Sequence, residues 1–315
     1  MRIRIVCPAP PGTLYGNRIS AERWARILRQ LGHLIAIDTS YDGAPCDLLI
    51  ALHARRSAQA VFDFAERYPH RPVIVVLTGT DVYRDIHRHR GAQRALEVAT
   101  RLVVLQPLAA KELTRHLRLK ARVIYQSVEK TPGLIVRSNQ VFQVAVVGHL
   151  RSIKDPFRAP MAVRSLPAAS RIRVVHAGAA MTEQMAHRAR AEQQRNPRYR
   201  WLGEIPRWRV RRLIASSHLL ALSSKMEGGA NVISEAIMDG TPVLASRISG
   251  SMGLLGADYP GLYRFGDTEA LQRLLLRAEA DSTFYSKLLG HGAKLSALFR
   301  PARERASWRD LITEL

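Results

Sequence analysis

The stretch Ser224-Lys225-Met226-Glu227-Gly228-Gly229-Ala230-Asn231-Val232-Ile233-Ser234-Glu235-Ala236-Ile237-Met238-Asp239-Gly240-Thr241-Pro242-Val243-Leu244-Ala245-Ser246 decides how the rest of the chain is read. Glu227 is followed at once by Gly228-Gly229, a short helical pattern opening at Ala230-Asn231-Val232 carries Glu235, and Gly240 and Pro242 close it before an apolar strand. Paired glycines let a backbone approach a ligand with no Cβ in the way. The free N–H groups at the start of the following helix point to the same place and favour phosphate. Glu235, about one turn into the helix, is an acceptor-only side chain suited to vicinal hydroxyls such as those of a ribose. Glu227 reaches a second polyol. An anion cradle with a hydroxyl-binding carboxylate on either side fits a diphosphate flanked by two sugar rings, which describes a nucleotide sugar. An ordinary amphipathic helix with a glycine C-cap accounts for Gly240 and Pro242, but it leaves Glu227-Gly228-Gly229 unexplained.

Outward from this stretch, short apolar runs alternate with helical patterns. Residues 2–7, 35–38, 47–53, 72–77, 102–105 and 123–126 read as strands, with helices over 20–30, where Ser20 is the expected cap, and over 58–68, 92–100 and 108–117. Strands this short and apolar suit a parallel sheet covered on both faces. Residues 129–140 are turn-rich and aperiodic and read as a linker. The alternation then restarts with strands at 142–147, 171–177, 199–202, 219–222 and 243–245. The fold class is therefore α/β, with two doubly wound Rossmann-like halves and a ligand site expected at the carboxyl ends of the strands. From residue 271 onward the chain is helical and basic.

Composition narrows the function classes. The 315 residues suffice for two domains with their own cores. No apolar run approaches the roughly 18 residues of a membrane span, and residues 1–8 are too soon interrupted by charge and proline for a signal peptide. Two cysteines, Cys7 and Cys46, support neither a disulfide framework nor a zinc site, so a cytoplasmic location is expected. The net charge of +22 raises nucleic acid or an anionic membrane as partners. Only seven of the 48 basic residues are lysines, however, and the arginines are scattered as a coding bias would scatter them. No nucleic-acid-binding motif is visible, and neither a Walker loop nor G-x-G-x-x-G occurs, so no cofactor is expected.

Glu227 and Glu235 at this spacing, with Gly240-Thr241-Pro242-Val243 and Ala245-Ser246, resemble the E-x7-E signature of the GT4-type retaining glycosyltransferases of the GT-B fold. The resemblance implies two Rossmann-like domains facing across a cleft: an acceptor-binding domain over 1–138, a nucleotide-sugar-binding domain over 139–295, and a helix over 296–315 crossing back to the first. Val147-Gly148-His149-Leu150-Arg151-Ser152-Ile153-Lys154 resembles the family's G-R-L-x3-K loop, which holds the donor diphosphate. Lys154 takes the lysine position. His149 stands where arginine is usual, and Arg151 is a possible substitute for it. By the same resemblance Glu227, Lys154 and His149 are the catalytic residues. Arg151, Gly203, Gly228, Gly229, Ala230, Asn231, Val232 and Glu235 bind the donor, a UDP-sugar, with Gly203 in the turn that meets the nucleobase. Thr78-Gly79-Thr80-Asp81-Val82-Tyr83-Arg84 resembles the family's G-T-D-V-Y segment. Together with His53 and the loop of Gly12, Gly16, Asn17 and Arg18 it forms the expected acceptor side. No D-x-D pair ends a strand, so no metal is expected; Lys154, the glycine amides and the helix N-terminus would meet the charge on the leaving UDP.

The pattern Pro10-Pro11-Gly12-Thr13-Leu14-Tyr15-Gly16-Asn17-Arg18, Leu77-Thr78-Gly79-Thr80-Asp81-Val82-Tyr83 and Met226 to Glu235 is similar to the selenosugar synthases of the SenB type, from bacterial selenoneine biosynthesis. That resemblance implies selenophosphate as acceptor and a 1-selenosugar as product, from UDP-glucose or UDP-N-acetylglucosamine. Two other readings stand beside it: a GT4-type enzyme acting on a lipid or cell-surface glycan at a membrane, and a non-catalytic anion- or nucleic-acid-binding protein, which rests on charge alone.

Overall fold

The runs Leu48–Leu52 and Val73–Leu77 are apolar and buried at every position. Strands without polar alternation need cover on both faces, and a parallel sheet between helices provides it. In the computed structural model, which describes residues Met1–Leu315, these runs lie at the centre of the first of two parallel sheets. Its strands are β1 (Arg2–Val6), β2 (Leu34–Asp38), β3 (Leu48–Leu52), β4 (Val73–Leu77), β5 (Arg101–Val104) and β6 (Ala121–Val123), in the order β2-β1-β3-β4-β5-β6. One face packs against Val61, Phe64 and Leu96. The other packs against Trp24, Leu28 and, from the end of the chain, Trp308 and Leu311.

This first unit comprises Met1–Ser127, Glu227–Gly229 and Arg300–Leu315. Its closing helix, Pro301–Thr313, sets the Trp308 ring 5.3 Å from that of Trp24, both fully buried. Beside them the buried Glu304 carboxylate accepts hydrogen bonds from the Trp24 indole at 2.7 Å and from the Ser127 amide at 2.9 Å, and it pairs with Arg23 at 3.1 Å.

The second unit comprises Val128–Met226 and Ala230–Phe299. Its sheet runs β12-β11-β10-β7-β8-β9, where β7 is Phe142–Val147, β8 Ile172–Ala177, β9 Tyr199–Trp201, β10 Leu219–Leu222, β11 Val243–Ser246 and β12 Leu262–Tyr263. Residues 128–140 form neither helix nor strand. They group with this unit because Val128 bonds Phe299 and because Thr131 donates its amide and hydroxyl to Asp239, each at 2.7 Å. No helix of the chain is long and apolar enough to cross a membrane.

The local structure departs from the sequence pattern at four places. Ser20 caps nothing: the helix begins at Gly16, and the Ser20 hydroxyl bonds back to the Gly16 carbonyl. β2 is not covered on both faces, because it is the edge strand and alternates between exposed and half-buried residues. Residues 108–117 are not one helix; Pro107 starts a 3-10 turn that ends at Glu112, and a separate short helix follows at Arg115–Lys120. The last strand of the first sheet lies at Ala121–Val123 rather than 123–126, the register in which it pairs with β5.

Within the second unit Glu192 is buried on the helix Glu183–Arg195 and takes hydrogen bonds from Arg164, Arg195 and Asn196. Burial alone would raise its pKa, but the bonds from Arg164, Asn196 and Arg195 outweigh it and hold the carboxyl down to about 2. A carboxyl lowered on folding stabilises fully above its ordinary pKa and less as pH falls toward 2. Glu192→Gln should therefore cost about 1–3 kcal/mol near pH 7, allowing for the partly exposed arginines. The gap in melting temperature from the native protein should narrow steadily between pH 5 and pH 3; a constant gap would contradict the assignment.

Candidate active site

In the second unit β7 runs out into Gly148 and a loop held at several points. Lys154 closes a 3-10 turn over Ser152–Lys154, and Asp155 ends it in the left-handed region at φ 43°. The Asp155 carboxylate is fixed there by Arg158 at 2.7 Å. The Lys225 amide donates to the Ile153 carbonyl at 2.8 Å, which ties this loop to the start of the Ser224–Ser246 stretch. Ser246, at the end of that stretch, bonds the Ser224 carbonyl at 2.6 Å. Arg151 is exposed. The His149 ring folds back instead, its Nδ1 accepting from the Ala179 amide at 3.2 Å, so the residue in the arginine position spends one ring nitrogen on the segment after β8. Gly203 turns at φ 66° and accepts the Gly178 amide on its carbonyl at 2.8 Å.

The helix Asn231–Met238 starts after Ala230, which offers no side-chain cap, and its first turn holds no acidic residue. Its N-terminal amides and positive dipole end thus remain suited to an anion. Asn231 and Val232 lie half-buried in that first turn. Glu235 is buried, and its Oε1 accepts from Arg207 at 3.1 Å. Arg207 is the first residue of the helix Arg207–Ser216, and among so many arginines nothing local in the sequence marks the one that faces Glu235.

In the first unit the turn Glu227-Gly228-Gly229 is seated on the ends of β4 and β5. A Cβ on Gly228 would lie 2.4 Å from the Thr78 carbonyl oxygen, and one on Gly229 would lie 2.5 Å from the Leu105 Cβ. The glycine pair is thus required by backbone packing, in addition to any ligand. It brings the buried Glu227 into the same unit as the Thr78–Arg84 loop.

That segment, which turns into a π-helical turn over Asp81–Asp85, is organised by Asp81, fully buried, whose carboxylate accepts the amides of Thr78 at 3.0 Å, Gly79 at 2.7 Å and Ala54 at 3.1 Å. The carboxylate of Asp81, one of the expected acceptor-side residues, thus holds the segments of Ala54 and of Thr78 and Gly79 to each other. His53 sits at the end of β3 with φ 72°, in the left-handed region that non-glycine residues rarely occupy. Its Nε2 lies 3.3 Å from the Thr80 hydroxyl and 3.9 Å from Asp85. Burial lowers the His53 pKa, with Asp81 and Asp85 pulling the other way. Asp85, not anticipated from sequence, is buried and also draws in Arg84 at 3.0 Å and Arg55 at 3.8 Å, both half-exposed.

At the end of β1, Gly12 turns at φ 75°, and Gly16 and Asn17 open the helix Gly16–Gln30, whose N-terminus carries neither a side-chain cap nor an acidic residue. Arg18 pairs with Glu22 through Nε at 2.7 Å, while its Nη1 is buried with no hydrogen-bond partner. A buried guanidinium nitrogen in that state is a ready receptor for an anion.

Comparison with solved structures shows the same architecture. The chain superposes over its whole length on Anabaena Alr3699/HepE in complex with UDP-glucose, with a TM-score of 0.79 at 17% identity and 100% of both chains covered. Sucrose-phosphate synthase from Thermosynechococcus elongatus gives a TM-score of 0.81 at 15% identity, covering 99% of this chain and 98% of that one. A glycosyltransferase from Rickettsia africae gives 0.75 at 14% identity, over 99% and 98% of the two chains. These likenesses establish the GT-B fold, two Rossmann-like parallel-sheet domains. The family of glycosyl transferases group 1 matches residues 135–292, half of the chain, and takes in the loop of Lys154, the Glu227 turn and the Glu235 helix. With that match, the protein belongs to the group 1 glycosyltransferases.

Proposed function

We propose that the protein transfers a sugar from a UDP-sugar, UDP-glucose or UDP-N-acetylglucosamine, to the selenium of selenophosphate. The observation that carries this reading is the seat of Glu227-Gly228-Gly229 on the end of β4, which puts the first donor carboxylate in one unit with the polar loops of His53 and Thr78–Arg84. On the donor side, Lys154, Arg151 and His149 meet the diphosphate, the first-turn amides of Ala230, Asn231 and Val232 extend the cradle, and Glu235 takes the ribose hydroxyls. The turn at Gly203 lines the base. HepE, of the same fold, was solved with UDP-glucose, which makes that donor the first to try.

On the acceptor side, Gly12, Gly16, Asn17 and Arg18, together with His53, Thr78, Gly79, Thr80 and Arg84, form a polar surface with little apolar lining. The buried, unpartnered nitrogen of Arg18 favours a small anion over a lipid tail. Selenium is a soft nucleophile and needs no general base, so the protein's task is to hold two anions close together against their repulsion. The selenium lone pair forms the bond to the anomeric carbon, and the bond from that carbon to the diphosphate oxygen breaks with its electrons leaving on UDP. Water then releases phosphate from selenium. Lys154 and the helix N-terminus neutralise the departing charge in the role a metal ion has elsewhere, so turnover should persist in EDTA.

The purified protein incubated with either UDP-sugar should release UDP only when selenophosphate is added, with a selenium-containing sugar detected by mass spectrometry. Release of UDP with lipid or glycan alcohols instead would replace this reading by the membrane-glycan one. Absence of UDP affinity with steeply salt-dependent nucleic-acid binding would replace both. Arg18→Ala should raise the KM for selenophosphate about tenfold or more while leaving the Kd for UDP unchanged.

A further inference from the structure

His176 lies on β8, outside the Gly148–Lys154 loop and the Ser224–Ser246 stretch, and is completely buried. Its Nε2 stands 3.0 Å from the carbonyl oxygen of Gly148, at the head of the loop that carries His149 and Lys154, and its Nδ1 stands 3.1 Å from the Tyr199 hydroxyl. A carbonyl oxygen only accepts, so the proton is on Nε2, and Nδ1 accepts from the Tyr199 hydroxyl in return. Burial lowers the His176 pKa to about 4 against the opposing pull of the Gly148 carbonyl, and burial pushes the Tyr199 phenol up. The ring is therefore a neutral, fixed donor at any pH near neutrality.

Gly178 confines the same peptide. Gly178 packs so closely on it that a Cβ there would lie 2.0 Å from the Gly148 oxygen and 2.9 Å from the His149 nitrogen. Gly148 and Gly178 both have φ of 155°, inside the region that favours glycine. Around them the loop is laced to the segment after β8: the Gly148 amide bonds the Ala177 carbonyl at 2.9 Å, and the Leu150 amide bonds that of Ala179 at 2.8 Å. A trans peptide is planar, with its C=O and N–H pointing opposite ways. With the carbonyl drawn toward His176, the His149 N–H is turned away from it.

We propose that His176 is a positioning residue for glycosyl transfer: by holding the Gly148 carbonyl it fixes the peptide whose N–H, on His149, faces the donor diphosphate. This rests on the reading that the Gly148–Lys154 loop binds that diphosphate. A residue that merely fills the core would affect stability alone. A positioning residue affects UDP binding and the rate of transfer in protein that remains folded.

The test measures UDP affinity by calorimetry and UDP-glucose turnover in the full-length protein. His176→Leu removes the donor and should weaken UDP binding about 10–100-fold, with kcat falling as well. His176→Gln, whose terminal amide reaches the Nε2 position, should stay within about threefold of the native affinity; His176→Asn, one bond shorter, should not. If His176→Leu fails to fold, the Gln and Asn pair decides, and equal affinity in both overturns the proposal. Lys154→Ala separates the two levels. If it leaves UDP affinity unchanged, the diphosphate reading of the loop fails; if it weakens UDP binding while His176→Leu binds as the native protein does, only the assignment of His176 fails.

Discussion

Gly228→Ala is expected to lower kcat/KM about 100-fold or more, while the protein stays folded. The added methyl group would stand 2.4 Å from the Thr78 oxygen, 2.5 Å from the Thr78 carbonyl carbon and 2.7 Å from the Gly79 nitrogen. All three are backbone atoms at the end of a fully buried strand, and the loop they begin is clamped by Asp81. Neither side yields cheaply, so the Glu227-Gly228-Gly229 turn must lift away, and it carries Glu227, the proposed catalytic carboxylate, with it. Displacement of a reacting group by about 1 Å costs roughly two orders of magnitude in rate. Gly290→Ala is the matched control. It lies inside the helix Ser282–Leu295 with open space where its Cβ would stand, so helix propensity should make it neutral or stabilising by about 0.5–1 kcal/mol. Native kinetics in Gly228→Ala would overturn the account of this turn.

Glu304→Ala is expected to cause the largest loss of stability of any single change considered, about 3–5 kcal/mol. The carboxylate is the shared partner of the Trp24 indole, the Ser127 amide and hydroxyl, and Arg23. Its removal strands a guanidinium, an indole N–H and an amide together in a buried site, and each unsatisfied group carries its own desolvation cost. The melting temperature should drop on the order of 10 °C. Glu304→Gln, which keeps an acceptor but not the charge facing Arg23, should lie between. Because Glu304 is not itself among the proposed substrate contacts, activity per folded molecule at 25 °C should stay near native. A melting temperature within about 2 °C of native would show that the network contributes little.

The alternation of strands and helices and the Glu227–Glu235 stretch were legible because each is a local pattern with a local cause. A run such as Leu48–Leu52 is a covered strand wherever it sits, and the Gly-Gly after Glu227 marks a backbone approach whatever it approaches. Identity of the approached surface was another matter. The close partner of Gly228 is Thr78, some 150 positions earlier, and only the tertiary fold places it there. The same limit hides the edge position of β2, which depends on strand order rather than on Leu34–Asp38 themselves. Asp81 was legible as a loop-end carboxylate, but its commitment to three amides was not. Arg207 and His176 had no signal: one is an arginine among many, the other a lone polar residue in a strand. Gly178, which ends β8 as Gly148 ends β7, had a weak one in the repeated strand-then-glycine pattern.

The first unit is assembled from three separate pieces of chain, and the last of them is the C-terminal helix with Trp308 and Glu304. During synthesis the first 127 residues emerge with one face of their sheet lacking Trp308 and Leu311 and with the Ser127 amide lacking its carboxylate. The second unit, whose pieces end at Phe299, is complete before the first. The order of maturation on the ribosome is thus the reverse of the order of sequence: the half made first is finished last, and until then it exposes an apolar surface that chaperones would recognise.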